Sequence, residues 1–289
     1  MPPAERPATL SLLYRGTLTS CNYDCGYCPF AKRAESRDSL VRDRREVERF
    51  VHWCQTSPDT LELLFTPWGE ALVRQHYRDA IVALSHASSV RAVGVQTNLS
   101  RSVDWLFKAD VARVSLWCTF HPSQVRRERF LARCARLRQL GVRHSVGMVA
   151  LREDIDEIIA MRRSLPAHTY LWLNAYDQRE PDYYSTAQIK TLVAIDPHFA
   201  FQLAPQQSLG ADCRAGASAL SVDGSGNVRP CHFLDTRLGN LYDGSFSAHL
   251  QARPCTRASC ECYIGYALRT DLPFVAPLLR DTAPRARLL

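Results

Sequence analysis

The sequence predicts an α/β protein with a parallel sheet, followed by a smaller cysteine-rich part that contains a β-hairpin. Short apolar runs of strand length alternate with amphipathic helical patterns up to about residue 175. Such alternation is typical of a parallel sheet covered by helices. Beyond residue 176 the rhythm ends, prolines interrupt the chain, and five of the eleven cysteines follow. This change predicts a second part with a different architecture.

Six strands and five helices account for the first part. The predicted strands are Leu10–Leu18, Leu61–Phe65, Val90–Gln96, Arg113–Thr119, Arg143–Ala150 and Thr169–Asn174. The predicted helices are Leu40–Cys54, Val73–Ser85, Val103–Ala109, Ser123–Leu140 and Asp154–Ser164. Ser123 is expected to cap the fourth helix and Gly141 to end it, because these residue types satisfy or terminate helix ends.

The composition is that of an ordinary globular protein, with 46% hydrophobic and 22% charged residues in 289. Neither a signal peptide nor a membrane span is expected, so we expect a cytoplasmic protein. Thiols there favour metal binding or catalysis over disulfides. The net charge of +7 comes mainly from arginines that are expected on helix faces in contact with solvent, so nucleic-acid binding is not predicted. The expected parts are a core over 1–176, an extension over 177–270 and a tail over 271–289.

Cys21, Cys25 and Cys28 stand at the spacing C-x3-C-x2-C, with Tyr27 before the last cysteine. Three thiolates on a tight loop can hold three irons of a four-iron cluster and leave the fourth iron open to a small molecule. A zinc knuckle is the chemical alternative. Zinc sites usually pair C-x2-C with a second such pair, and none follows within thirty residues of Cys28.

This run resembles the signature of the radical S-adenosylmethionine (radical SAM) enzymes. The resemblance implies a partial (β/α)6 TIM-type barrel and a [4Fe-4S] cluster on Cys21, Cys25 and Cys28, with Tyr27 beside the cofactor. It also implies that S-adenosylmethionine binds the open iron and is cleaved reductively to a 5′-deoxyadenosyl radical that abstracts hydrogen from a substrate. The required electron would come from a donor such as flavodoxin or ferredoxin.

The same resemblance implies further cofactor-binding residues at the strand ends. Gly69 and Glu70 follow strand two, where the family commonly has Gly-Gly-Glu; Trp68 replaces the first glycine. Glu70 is the expected partner of the methionyl ammonium. The remaining expected contacts are Asn98 near the ribose, Met148 and Glu153 near the adenine, and Asn174 at the end of strand six. For Met148 and Glu153, a buried strand followed by a helix-starting acid is an equally good interpretation.

Two residues near the end of strand four are candidates for catalysis. In an α/β barrel the carboxyl ends of the strands face the active site. His121 is therefore expected to touch substrate or cofactor, and either Trp117 or Cys118 to point into the cavity. Cys118 could relay a substrate radical, although a small buried hydrophobic role is the commoner one for such a cysteine.

The second cysteine group surrounds an Asp-Gly turn that predicts a hairpin near residues 219–229. A hairpin brings its flanks together, so Cys213 and Cys231 are expected to lie close, and Cys255, Cys260 and Cys262 to complete a four-thiolate site. Zinc or an iron cluster suits four thiolates. The pattern resembles the Twitch or SPASM-type extension of radical SAM enzymes, which implies one auxiliary [4Fe-4S] cluster. Whether Cys260 or Cys262 is a ligand stays open.

An auxiliary cluster implies a net oxidation, hence an oxidoreductase. The resemblance favours oxidative modification of a peptide, with dehydrogenation or rearrangement of a small metabolite such as a sugar or amino acid as the alternative. A hypothesis of another class is a non-catalytic module that binds zinc or RNA and keeps its cysteines for structure.

Overall fold

A computed structural model describes residues 7–30 and 34–272. Its centre is a nine-stranded sheet in which six strands run parallel and in chain order. These strands confirm the predicted α/β fold with a largely parallel sheet, as in a partial TIM-type barrel. They are β1 (Thr9–Arg15), β2 (Thr60–Phe65), β3 (Val90–Thr97), β4 (Val114–Thr119), β5 (Arg143–Ala150) and β6 (Leu171–Ala175).

Helices follow most of these strands and cover the outer face of the sheet. Ser36 caps the first helix by accepting a hydrogen bond from the Ser39 amide at 3.1 Å. The capping box of Ser185 and Gln188 begins the fifth. The helices are α1 (Arg37–Thr56), α2 (Gln75–Ser85), α3 (Arg127–Gln139), α4 (Ile155–Ser164), α5 (Thr186–Ile195) and the short α6 (Tyr263–Leu268).

Two helix predictions are wrong in detail. The segment predicted as Val103–Ala109 forms a 3-10 turn over Asp104–Lys108, too short for an α-helix. The α3 helix begins at Arg127 rather than at Ser123, because the amides of Gln124 and Val125 donate to the His121 carbonyl and form a separate turn. The helix end at Gly141 is confirmed. Its φ of +73° is one that glycine adopts without strain.

Side chains alternate between the two faces of the sheet, as strand geometry requires. Leu10, Leu12 and Tyr14 of β1 belong to the large outer core against the helices. Leu13 faces the interior of the barrel with residues of the neighbouring strands. This inner cluster comprises Leu13, Leu64, Ala92, Trp117, Ala215, Ala219, Ile264, Ala267 and Leu268. The two-residue period therefore places Arg15, at the carboxyl end of β1, on the inner face.

The predicted hairpin forms and extends the same sheet. Strand β7 (Gln206–Gln207) precedes it, and β8 (Ala219–Asp223) and β9 (Asn227–Arg229) pair antiparallel. Strand β8 also pairs parallel with β1, while β10 (Gly239–Asn240) continues beside β9. Strand β11 (Ser259–Cys260) pairs with β7, and α6 follows it to pack inside the barrel. The hairpin thus joins the cysteine-rich part directly to β1.

The proposed boundary at residue 176 stays a prediction. Of the predicted tail over 271–289, residues 273–289 lie outside the described part of the chain. No helix within the described ranges is both long enough and apolar enough to cross a membrane.

Close packing inside the barrel predicts that Gly147→Ala is destabilising. A Cβ on Gly147 would lie 2.1 Å from the Trp172 ring, which is itself buried and donates to Ser145 Oγ at 3.2 Å. We expect a loss of about 1–3 kcal/mol in the free energy of unfolding, measured by urea denaturation, because the ring must shift. Gly26→Ala is the matched control, since a Cβ there meets nothing within 4 Å. Equal stabilities of the two variants would contradict the close packing.

Candidate functional site

The chain leaves β1 through a buried polar network. The carboxylate of Asp43, fully buried on α1, accepts a hydrogen bond from the Leu18 amide at 3.1 Å and one from the Tyr77 hydroxyl at 3.0 Å. His76 Nε2 lies 2.7 Å from its other oxygen. Buried carboxylates need such partners. The network fixes the direction in which the chain enters the cysteine loop, defined here as residues 20–30.

The end of β2 is fastened to the start of this loop. The amide of Gly69 donates to the Leu18 carbonyl at 3.2 Å, and that of Glu70 to the Ser20 carbonyl at 3.0 Å. A Cβ on Gly69 would lie 2.1 Å from the Ser20 carbonyl oxygen, so only glycine permits this approach. The predicted importance of Gly69 therefore has a local cause, which is the closeness of two backbones.

The three thiols of the cysteine loop lie within hydrogen-bonding reach of polar groups. Cys25 is buried and the other two are half-buried, and none forms a disulfide. Cys21 Sγ accepts from the Tyr23 amide at 3.4 Å and from Asn98 Nδ2 at 3.5 Å. Burial raises the pKa of the Cys21 thiol, and Cys28 contributes to the rise. N–H donors aimed at sulfur stabilise a metal-bound thiolate, so this donor set suits an iron–sulfur cluster.

Glu70 is buried, and its carboxylate accepts hydrogen bonds from other groups of the chain. Its Oε1 accepts from the Leu72 amide at 3.0 Å and from the Thr97 hydroxyl at 2.8 Å. Its Oε2 accepts from the Asn98 amide at 2.6 Å. Burial raises the pKa of this carboxyl, while the three hydrogen bonds oppose the rise. Because a carboxylate offers about four lone pairs, most of its capacity is used within the chain. The expected ammonium contact stays a prediction.

Asn98 connects this carboxylate to the cysteine loop. Its amide binds Glu70, and its side chain donates to Cys21 Sγ and, at 3.1 Å, to Asn22 Oδ1. The following residue, Leu99, has a φ of +53°, which costs a residue with a Cβ about 1–2 kcal/mol. Arg133 holds the strained turn by donating to the Leu99 carbonyl at 2.7 Å. The structure thus brings together three predicted site residues, Glu70, Asn98 and Cys21.

His121 lies against the same loop. Its Nδ1 is 2.6 Å from the Tyr27 hydroxyl and 3.3 Å from Cys25 Sγ. The Tyr27 ring stacks on the imidazole, and Tyr23 meets it edge-on. Burial lowers the pKa of His121 to about 4 and raises the pKa of Tyr27 well above its usual value. His121 and Tyr27 therefore join the predicted cluster cysteines in one contact group.

Two predicted site residues lie elsewhere. Cys118 and Met148 are fully buried in the outer core, on the side of the sheet that faces the helices. Trp117, the residue before Cys118, lies on the opposite face of β4 and belongs to the inner cluster. Burial raises the pKa of the Cys118 thiol strongly, with Cys134 of α3 contributing. Of the two alternatives predicted for β4, Trp117 faces the interior and Cys118 does not, so Cys118 is not placed to act at the cavity. The structure also separates Met148 from the interior.

The other two predicted residues lie at strand ends. Glu153 is exposed after β5 and accepts from the Tyr183 hydroxyl at 3.3 Å. Asn174 is half-buried near the end of β6 and pairs in register with Val149. Asn174 lies two residues after Trp172 and therefore on the same face of β6. That face is the inner one, because the Trp172 ring lies 5.8 Å from the ring of Trp117.

Sequence analysis did not identify several residues that shape the loop. Gln124 accepts from the Asp24 amide at 3.0 Å and donates to the Asp24 carbonyl at 3.2 Å, across a separation of 100 residues. Glu35 accepts from Ser20 Oγ at 3.1 Å. Arg74 donates to the same hydroxyl at 2.8 Å. No local pattern signals these contacts, because each depends on the folded arrangement.

The second cysteine group forms on the inner side of the hairpin. Cys213, Cys231 and Cys262 pack against the inner cluster. Burial raises the pKa of Cys231 to about 11, and the neighbouring thiols of Cys262, Cys213 and Cys255 add to it. Burial likewise raises the pKa of Cys260 to about 12, with Cys262 and Cys231 contributing. Three of the five cysteines, Cys213, Cys231 and Cys262, therefore share one inner surface, and the four-thiolate site stays a prediction.

Within residues 7–30 and 34–272, no three His, Cys, Asp or Glu side chains converge closely enough to hold a metal ion. A four-iron cluster is larger than a single ion, so its thiolates stand farther apart than those of a mononuclear site. The loop thiols lie near N–H donors, and three thiols at the hairpin share one inner surface. Donor sets of this chemistry fit clusters of this kind.

Comparison with solved structures identifies the fold. SuiB from Streptococcus suis, solved with its precursor peptide SuiA, superposes with a TM-score of 0.52 and 14% identity, covering 82% of this chain and 64% of SuiB. The enzyme anSMEcpe, solved with AdoMet and the Cp18Cys peptide, gives 0.54 and 14%, covering 84% and 80%. Both are radical SAM enzymes. This chain has the radical SAM fold.

The chain spans less than two thirds of the length of SuiB. No protein-family model and no curated protein matches the sequence. At 13–14% identity the structural matches establish the radical SAM fold and leave the chemistry to be inferred from the residues.

The clamp on Asp24 predicts that Gln124→Ala loosens the cysteine loop. Gln124 is half-buried and lies outside the hydrophobic core, so stability should change little while amide exchange over residues 21–28 accelerates. Hydrogen exchange with mass spectrometry measures this. Gln139→Ala, an exposed glutamine at the end of α3, is the matched control. Unchanged exchange in the Gln124 variant would show that the clamp does not order the loop.

Proposed function

We propose that this chain is a radical SAM enzyme that modifies a peptide oxidatively. The observation that carries the proposal is the contact group at the carboxyl ends of β1 to β4: the cysteine loop with Asn98, Tyr27 and His121 around its thiols. The radical SAM fold supports it, because in α/β barrels this edge of the sheet holds the active site.

Cys21, Cys25 and Cys28 would hold a [4Fe-4S] cluster. When bound, that cluster supplies one electron to S-adenosylmethionine and yields a 5′-deoxyadenosyl radical. The chain itself positions and shields the group: Gly69 brings the β2 end against the loop, Gln124 clamps Asp24, and the Tyr23 and Asn98 donors stabilise the Cys21 sulfur. His121 and Tyr27 cover Cys25 and exclude water from it.

The cofactor would lie along the ends of β2, β3, β5 and β6. Gly69 offers backbone there without a side chain, and Asn98 and Asn174 present amides at the strand ends. Glu70 acts chiefly by fixing Asn98 and the β2 end, with one lone pair left for an ammonium donor. Glu153 stays a candidate for the adenine end. An electron donor such as flavodoxin or ferredoxin would supply the reducing electron.

The thiols around the hairpin would hold one auxiliary [4Fe-4S] cluster. Cys213, Cys231 and Cys255 are three of its ligands, and we assign the fourth place to Cys262. Cys262 packs on the inner cluster together with Cys213 and Cys231. The sulfur of Cys260 instead lies 2.6 Å from the position that a Cβ on Gly265 would take, so it is directed at α6.

A peptide substrate is supported by what the structural neighbours bind. SuiB was solved with a precursor peptide and anSMEcpe with a peptide, and both share this fold. The interior of the barrel in this chain presents Trp117 and Trp172, whose rings lie 5.8 Å apart. Both rings are buried, so the proposal of a peptide substrate rests on what the neighbours bind.

The proposed reaction predicts a specific loss in Cys25→Ala. The anaerobically reconstituted protein should bind about eight irons per chain, since each of two clusters holds four irons, and release 5′-deoxyadenosine under dithionite. Cys25→Ala should lose about half of the iron and all of the release. Cys54→Ala, which removes a buried thiol on α1, is the matched control and should keep both. Zinc without 5′-deoxyadenosine would overturn the enzymatic proposal in favour of a binding module.

The assignment of Cys262 predicts unequal effects of two neighbouring substitutions. Cys262→Ser should lower the iron content towards about four irons per chain, because it removes one of the four thiolates that the proposal assigns to the auxiliary cluster. Cys260→Ser should retain about eight. Iron and sulfide analysis of the two variants compares them directly. The opposite pattern would assign the fourth place to Cys260.

A further inference from the structure

A groove of about 620 Å³ lies on the outer, helical side of the molecule. One wall is the face of α1 over residues 37–48, and the other is the segment over residues 73–76, which includes the start of α2. We call it the basic groove. At 1.5 Å per residue its α1 wall is about 16 Å long. Its described lining residues belong neither to the cysteine loop nor to the hairpin.

The basic groove carries uncompensated positive charge. Four arginines line it, against one glutamate, Glu48. Three of the arginines are exposed, and the fourth is half-buried. Among residues 7–30 and 34–272, no carboxylate lies within ion-pair distance of any of the four. The arginines are Arg37, Arg44, Arg45 and Arg74.

Apolar side chains also line the groove. Leu40 and Val73 are half-buried, and Val41 is 42% exposed. Protein interfaces combine apolar contacts with a polar rim and are enriched in arginine. A small anion needs convergent donors, whereas these cations are spread along about three helical turns. The basic groove therefore fits the acidic face of a protein better than it fits a small anion.

Two contacts join the basic groove to the start of the cysteine loop. Arg74 donates to Ser20 Oγ at 2.8 Å, and Ser20 is the first residue of that loop. His76, which also lines the groove, has its Nε2 2.7 Å from Asp43. The other carboxylate oxygen of Asp43 accepts from the Leu18 amide at 3.1 Å. A partner seated in the groove would thus contact side chains that hold the entry to the loop. A charged helix face without such connections would be only a solvated surface.

The basic groove is separate from the places proposed for substrate and cofactor. Those lie at the carboxyl ends of the strands and in the barrel interior, whereas α1 and α2 pack on the outer core. A partner in the groove can therefore bind while the interior is occupied. The proposed reaction needs a partner of this kind, because reductive cleavage requires one electron at the cysteine loop.

We infer that the basic groove is the docking surface of an acidic electron-transfer protein, the electron donor of the proposed reaction. The inference rests on the proposed function, since a donor is needed only if the cysteine loop holds a cluster. In the docked pair the donor is oxidised by one electron and the cluster is reduced by one, and no bond forms or breaks. Complementary charge accelerates the encounter of two proteins, and salt weakens this effect.

The experiment measures binding of a purified flavodoxin with an acidic surface to the anaerobically reconstituted full chain, by isothermal titration calorimetry. Arg44→Glu combined with Arg45→Glu should weaken binding about tenfold, because repulsion replaces attraction at the centre of the groove. Added salt should weaken the binding of the parent more than that of the variant. Arg44→Gln combined with Arg45→Gln, which removes charge without reversing it, should give a smaller loss in the same direction.

Release of 5′-deoxyadenosine gives a second measurement. Release driven by reduced flavodoxin should slow in the Arg44 and Arg45 variants. Dithionite is a small reductant that needs no docking surface, so release driven by dithionite should stay at the parent rate. That unchanged rate also shows that the variants fold, as expected for two exposed residues outside the core.

Arg138→Glu combined with Arg163→Glu is the matched control. Both arginines are exposed, in the last turns of α3 and α4, and the change in net charge is the same. Equal weakening in this control overturns the inference, because the effect would then be a general one of net charge. So does a single-stranded RNA that binds the parent more tightly than flavodoxin and loses affinity in the Arg44 and Arg45 variants.

The outcomes separate this inference from the proposed function. Flavodoxin binding and flavodoxin-driven release that are the same in the parent and in the Arg44 and Arg45 variants overturn the docking surface. The proposed function stays intact in that case, provided that dithionite drives release. A parent that takes up iron but releases no 5′-deoxyadenosine with either reductant overturns both.

Discussion

The buried carboxylate of Glu70 is the interaction on which the site depends. It receives donors from the turn after β2 and from the end of β3, and so holds two strand ends together. Leaving these donors unpaired would cost about 1–3 kcal/mol each. Through Asn98 the same connection reaches Cys21, the first thiol of the loop. The geometry of the cysteine loop is thus a property of the sheet edge.

Much of the fold was predictable because strand and helix patterns are local. Strand β5 was predicted at its observed bounds, and β4 differs by one residue. The start of α3 was not, although Pro122-Ser123 resembles a cap in sequence. The His121 carbonyl accepts from two following amides and forms a turn of its own. That turn coincides with the placement of His121 against the cysteine loop, a tertiary contact that no local pattern contains.

Site residues were predictable where their spacing in the sequence defines them. They were not predictable where the face of a strand or a contact between distant residues decides their position. The C-x3-C-x2-C spacing identified the loop thiols. The sequence could not decide whether Trp117 or Cys118 faces the interior, because a one-residue change of register reverses every side chain of a strand. Nor could it reveal the clamp of Gln124 on Asp24, since the pair meets only after β4 takes its place in the barrel.

The pairing of β8 with β1 explains why one chain can relate its two cysteine groups. A hairpin forming a separate lobe would leave their separation to a linker. Here β1 carries the cysteine loop at its carboxyl end and the hairpin along its edge, so both groups are fixed relative to one strand. Arg15 ends β1 and stacks on Trp68, which in turn contacts Phe30 of the cysteine loop.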